Sequence, residues 1–157
     1  MEDGKFYTVR GYQLSEQSKS LLTPSLEDYL EMIYRSITYH GYIRVNELAS
    51  DLNVKPSSVS KMITKLAELG LIDYEKYGVI QLTDKGTEIG RYLLWRHNTI
   101  YQFFDFLSSG DKDQAFKETE LVEHILSKET VNNMEKLLTF FSSQPDIEEQ
   151  LKQYSAL

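Results

Sequence analysis

The chain has no cysteine among its 157 residues. Disulfides and thiolate metal sites are therefore excluded, and a metal could find only carboxylate, imidazole, carbonyl or water ligands. Proline is scarce, at three, and each one punctuates: Pro24 and Pro56 suit the starts of helices, and Pro145 ends regular structure. No apolar run approaches the roughly 18 residues of a membrane span, and Met1–Lys19 carries charges and aromatics in place of a signal peptide's apolar stretch. A cytoplasmic protein without a membrane segment is expected. An excess of positive charge is also missing: the net charge is -7, which argues against a non-specific nucleic-acid binder. That average hides a gradient. Residues 1–97 hold 12 Lys/Arg against 13 Asp/Glu, whereas residues 98–157 hold 5 against 11. With 41% hydrophobic and 26% charged residues the composition is globular, enough for one ordinary domain or two small ones.

Residues 1–22 show no helical period and read as an N-terminal arm. Thr23-Pro24-Ser25 opens a helix, with Ser25 as N-cap and an apolar stripe of Leu26, Leu30, Ile33 and Ile37 that ends at Gly41. Asp28 and Glu31 lie about 60° apart and off that stripe. On these residues alone, Asp28 suits a helix N-terminus and Glu31 a solvated face. A short helix over Val45–Leu52 is broken at Asn53-Val54-Lys55-Pro56, and a second runs from about Ser57 to Leu69. Val59, Met62, Ile63 and Leu66 form the inner face of the second helix, leaving Ser57, Ser58, Ser60, Lys61, Thr64 and Lys65 outside. No acidic residue falls between Asp51 and Glu68, so this outer face is a basic, hydroxyl-bearing patch in an acidic protein. Gly70 ends the helix. Leu71–Tyr74 and Val79–Thr83 then read as a hairpin joined through Glu75-Lys76-Tyr77-Gly78. Helix, helix-turn-helix and hairpin in that order predict a winged helix-turn-helix, whose second helix reads the major groove while the wing meets the DNA backbone. Ser57, Ser58, Ser60, Lys61 and Lys65, with Lys76 of the wing, are the candidate DNA contacts.

Thr83 and Asp84 cap a long helix reaching about Leu107, with Ile89, Leu93, Ile100, Phe104 and Leu107 at near-heptad spacing. Leu94, Trp95, Tyr101, Phe103 and Phe106 extend the apolar surface around it, which predicts burial on more than one side and hence a homodimer. His97 lies at the edge of the main stripe. Gln114–Leu126 is expected to be helical, placing Glu120, Glu123 and His124 within about 100° of arc, with Leu121, Val122, Ile125 and Leu126 packed opposite. Taken alone, those three polar residues describe either a solvated face or half of a metal site. A last helix over Thr130–Phe141, introduced by Ser127-Lys128-Glu129, offers Val131, Met134, Leu137, Leu138 and Phe141 for packing.

Four segments together carry a resemblance: Pro24-Ser25-Leu26-Glu27-Asp28-Tyr29-Leu30-Glu31, Pro56-Ser57-Ser58-Val59-Ser60-Lys61-Met62, Arg96-His97, and Glu120-Leu121-Val122-Glu123-His124-Ile125-Leu126-Ser127. Over about Leu22–Gln144 the chain resembles the diphtheria-toxin-repressor family of metal-dependent repressors, in its manganese-sensing branch. The resemblance implies a dimeric repressor with a winged-helix domain, a helical dimerisation domain and a two-metal site between them. It places the ligands at Asp28, Glu31, His97, Glu120, Glu123 and His124, with Glu31 and Glu123 as bridging carboxylates. Such oxygen and nitrogen donors suit Mn(II), two per subunit, though they also accept Fe(II), Co(II), Cd(II) and Zn(II). Iron-sensing members carry sulfur side chains at the positions of Asp28 and Glu123. Many manganese-branch members have a second histidine where this chain has Ile125, and no counterpart of the SH3-like third domain of some iron-sensing members is expected here.

The expected architecture is mainly α: an arm (1–22), a winged helix-turn-helix DNA-binding domain (23–83), a helical metal-binding and dimerisation domain (84–144) and a tail (145–157). The expected function is metal-dependent control of metal homeostasis genes through a palindromic operator, without enzymatic activity. An iron-responsive regulator of the same family and a metal-independent winged-helix regulator are the alternatives, and a two-metal hydrolase is a distant third.

Overall fold

The computed structural model describes residues 22–74, 78–108, 110–144, 146–147 and 150. The expected arm and nearly all of the expected tail lie outside them. Among the described residues are six helices and one two-stranded sheet, in two compact units that divide between Leu94 and Trp95.

The first unit begins with α1 (Pro24–His40). Its N-cap is Thr23 rather than Ser25, because Pro24 occupies the first helical position, where a proline has no N–H to leave unsatisfied. Thr23 Oγ1 accepts from the Leu26 N–H at 3.4 Å. Gly41, at φ 85°, closes the helix by donating its N–H to the Ile37 carbonyl. Leu26, Leu30 and Ile33 are buried, and so are Tyr29, Ser36 and Glu31. Helix α2 (Val45–Asp51) starts where the Glu47 carboxylate accepts the Arg44 N–H at 2.8 Å. Asn53, in the left-handed region at φ 51°, turns the chain into α3 (Pro56–Glu68).

Val59, Ile63 and Leu66 of α3 have no exposed surface. They pack in one cluster with Leu30, Ile33, Ile43, Leu48 and Leu71, each such burial being worth about 1.5–3 kcal/mol. Strands β1 (Ile72–Tyr74) and β2 (Ile80–Leu82) pair antiparallel with Ile72 opposite Leu82, and the Ile80 N–H bonds to the Ile43 carbonyl. The hairpin is the expected wing. Its tip, residues 75–77, lies outside the described residues, and Lys76 with it.

Thr83 joins the base of the wing to the next helix. Its N–H reaches the Leu71 carbonyl at 3.1 Å, and its hydroxyl donates to the Gly70 carbonyl at 2.8 Å while accepting from the Gly86 N–H at 3.0 Å. Helix α4 (Asp84–Leu107) begins there. A Cβ at Gly86 would stand 1.8 Å from the Leu71 carbonyl oxygen, and one at Gly90 would stand 2.6 Å from the Tyr34 Cβ. Two glycines thus allow α4 to pass this close to the wing and to α1.

The second unit comprises the end of α4, α5 (Lys112–Val122) and α6 (Lys128–Ser142). Asp111 and Ser127 cap the two shorter helices, accepting from the Gln114 and Thr130 N–H groups at 3.0 and 3.1 Å. Ile100, Ala115, Thr119 and Val131 are fully enclosed. The Trp95 indole donates to Glu135 at 2.8 Å, and Phe106 stacks on Phe141 with ring centroids 5.1 Å apart.

Here the expected helix over Gln114–Leu126 is corrected. It starts earlier, at Lys112, and stops at Val122, so Glu123 is its C-cap and His124 lies in the following turn. Only three residues separate Glu123 from the Ser127 cap of α6, and the chain uses them to turn. The face expected to pack is corrected as well: Leu121 and Ile125 are exposed, and Ala115, Thr119 and Glu123 face inward at i, i+4 and i+8. Leu107, Phe116, Leu137 and Phe140 are exposed too. None of the helices among the described residues is long and apolar enough to cross a membrane.

Candidate metal centre and DNA-reading surface

In the second unit the site is built around His97. Its position on α4 turns the imidazole inward, leaving the residue 6% exposed, and Glu123, 2% exposed, faces it from the end of α5. His97 Nδ1 and Glu123 Oε2 are 2.9 Å apart. A buried carboxylate without a partner costs several kcal/mol, so this pairing permits Glu123 to sit in the interior at all. Glu120 lies one turn earlier and more open to solvent, with Oε1 3.6 Å from the same ring nitrogen. The His124 ring is 3.7 Å from the other Glu123 oxygen and 3.3 Å from Arg96 Nη2. Phe116 meets the His97 ring edge-on, with centroids 6.0 Å apart.

Two carboxylates and two imidazoles, taken from α4, α5 and the turn after it, are therefore gathered in one place. Because the α5 helix stops at Val122, the turn rather than a helix face delivers Glu123 and His124. All the donors are oxygen or nitrogen, and one His–carboxylate pair is buried and already oriented, which fits a divalent cation of hard or borderline character.

Asp28 and Glu31 belong to the first unit, one turn apart on α1. Glu31 is buried, at 8% exposure, rather than on a solvated face, and its Oε1 accepts from Arg35 Nη2 one turn further on. Between the two acids, burial and, to a smaller extent, the Asp28 carboxylate push the Tyr29 hydroxyl above its ordinary pKa. It therefore stays a neutral O–H throughout the physiological range.

On α3 the six outward residues Ser57, Ser58, Ser60, Lys61, Thr64 and Lys65 are all exposed. Ser60 and Thr64 donate their hydroxyls to the carbonyls one turn back, at 3.0 and 2.9 Å, so they present oxygen lone pairs outward. A groove of about 590 Å³ runs along this face, lined by Ser58, Lys61 and Lys65 and by Ser25 and Tyr29 of α1. Sequence reasoning missed Ser25 and Tyr29 as part of this surface, because α1 showed only its apolar stripe.

A winged reading head joined to a helical unit with gathered metal donors defines a class, the metal-dependent winged-helix transcriptional regulators. Comparison with known proteins makes this specific. A profile described as "Iron dependent repressor, N-terminal DNA binding domain" matches residues 21–80, and one described as "Iron dependent repressor, metal binding and dimerisation domain" matches residues 83–152. The chain belongs to the iron-dependent repressor family, that of the diphtheria-toxin repressor. It is 41% identical over 130 residues to the HTH-type transcriptional regulator MntR of Listeria welshimeri, covering 83% of this chain and 91% of the relative. It is 38% identical over 130 residues to MntR of Lysinibacillus sphaericus, covering 83% and 93%. A solved structure titled "Manganese-dependent transcriptional repressor complex with manganese" superposes with a TM-score of 0.58 at 28% identity, over 73% of this chain and 53% of that one. The chain is thus a transcriptional regulator with a DNA-binding domain and a metal-binding and dimerisation domain, not an enzyme.

Proposed function

We propose that the chain is a manganese-responsive repressor that binds a palindromic operator as a homodimer and controls metal homeostasis genes in the cytoplasm. The observation that carries this reading is the buried His97–Glu123 pair with Glu120 and His124 beside it, a donor set free of sulfur. The relatives named MntR and the manganese-dependent structural neighbour support the choice of metal. In this reading residues 23–83 form the DNA-binding domain and residues 84–144 the metal-binding and dimerisation domain. Asp28 and Glu31 would join His97, Glu120, Glu123 and His124 in holding Mn(II), two ions per subunit.

A bound cation supplies positive charge against carboxylates that otherwise repel one another. The chain's own residues supply the rest. His97 and Glu123 are fixed in place by burial and by each other. Asp28 and Glu31 stand on the helix whose Leu30 and Ile33 pack in the same cluster as Val59 and Ile63 of the reading helix, so a constraint on these acids bears on the reading head. Linkage requires that DNA tighten metal binding by the factor by which metal tightens DNA binding. Ser57, Ser58, Ser60, Lys61, Lys65 and Lys76 make the DNA contacts.

The test is binding of the full chain to duplex DNA from its own gene neighbourhood, titrated anaerobically with Mn(II) and with Fe(II). Activation by manganese and reversal by chelator are expected. Binding indifferent to chelator would remove the metal switch, and activation by iron alone would make the chain an iron regulator.

A further inference from the structure

We propose that Arg35 is a positioning residue that sets the metal threshold of this protein by holding Glu31 in the metal-free state. The inference rests on the reading that Glu31 is a metal ligand. Asp28, Glu31 and Arg35 stand at i, i+3 and i+7 on α1 and share one face of that helix. The guanidinium Nη2 of Arg35 donates to Glu31 Oε1, and the Glu31 side chain is only 10% exposed. The Nε of the same guanidinium is buried and finds no partner among the described residues. Arg35 is thus stationed on Glu31 at some cost to its own hydrogen bonding.

Three consequences follow, all of one sign. An arginine stays cationic at every accessible pH, so it repels an arriving dication. It occupies an oxygen that Glu31 would otherwise offer to a metal. It also stabilises the metal-free protein by compensating a buried carboxylate, which by linkage weakens metal binding further. Removing the charge should therefore tighten metal binding while loosening the metal-free protein. An arginine that merely supported the fold would do neither selectively, since its loss would weaken both states alike and leave the affinity unchanged.

The experiment compares wild type, Arg35→Met, Arg35→Gln and Arg35→Lys as full-length proteins. Mn(II) affinity is measured by calorimetry and thermal unfolding is followed in chelator and in excess Mn(II). Arg35→Met should bind Mn(II) about three- to tenfold more tightly and unfold at a lower temperature in chelator, with little change when loaded. Arg35→Gln keeps a donor without the charge and should tighten binding less; it carries the test if the methionine variant does not fold. Arg35→Lys should stay within about twofold of wild type. Unchanged or weaker binding by both folded neutral variants would overturn the assignment. A wild-type protein that binds no Mn(II) would instead overturn the functional reading beneath it.

Discussion

His97 Nδ1 stands 2.9 Å from Glu123 Oε2, in a place where neither side chain has appreciable access to water. Each is the other's reason for being buried. Glu123→Ala removes a donor and also takes from the imidazole its nearer, buried carboxylate, at a cost of about 1–3 kcal/mol. Because loss of an outer-shell partner alone weakens metal affinity 10- to 100-fold, loss of this carboxylate should weaken Mn(II) binding by at least about 100-fold and abolish manganese-stimulated DNA binding. Calorimetry and a gel-shift titration measure the two effects, and full stimulation in the variant would remove Glu123 from the site.

Lys61 is exposed at the centre of the basic face of α3 and lines the groove beside α1. Lys61→Ala should lower operator affinity and reduce the slope of log affinity against log salt by about 1, leaving Mn(II) binding and dimerisation intact. Fluorescence anisotropy at several salt concentrations reads both quantities; an unchanged affinity at physiological salt would refute α3 as the reading helix.

Gly86 tests the packing of the wing on α4. A methyl group there meets the Leu71 carbonyl oxygen at 1.8 Å, and backbone rather than a flexible side-chain end must move to admit it. Gly86→Ala should destabilise the protein by on the order of 3 kcal/mol, seen in calorimetry as a fall in Tm of roughly 10 °C. A wild-type Tm would mean that the wing and the start of α4 are not held this close in solution.

Leu137 and Phe140 are exposed on α6, within the domain whose family description includes dimerisation. Replacing both with glutamate should raise the dimer dissociation constant more than about 100-fold, as expected for apolar anchors at an interface. Sedimentation velocity reads the outcome, and a dimer that persists at low micromolar concentration would place the interface elsewhere.

Most of the reading head was legible in the sequence. Leu26, Leu30 and Ile33 in α1 and Val59, Ile63 and Leu66 in α3 repeat at helical spacing, and Pro24, Gly41, Pro56 and Gly70 mark the ends. The cap of α1 lies at Thr23, two residues before the Ser25 expected from sequence, because Thr23 and Ser25 are equally good acceptors and only the fixed φ of Pro24 decides between them. The end of α5 was less legible for a deeper reason. Its buried face is Ala115, Thr119 and Glu123, one small residue and two polar ones whose polar atoms are satisfied at Ala115 and at His97. That face carries no apolar period. Leu121 and Ile125 do carry one, but they are exposed in the single chain, and periodicity cannot tell a residue kept for its own core from one kept for a second copy. The residue types of the candidate metal donors are readable in the sequence, whereas the turn that presents Glu123 and His124 is not. Arg35 had no signal in the sequence beyond its spacing from Glu31.

Thr83 limits how this protein could diverge. Its N–H is tied to Leu71, and its hydroxyl to Gly70 on one side and Gly86 on the other, so the segment from 70 to 86 is a closed loop pinned at its neck. A residue inserted or deleted near that neck would break three hydrogen bonds and shift the entry of α4. Variation in wing length among descendants of this sequence should therefore be confined to the stretch between Tyr74 and Gly78, which can lengthen or shorten without altering the stem that carries it.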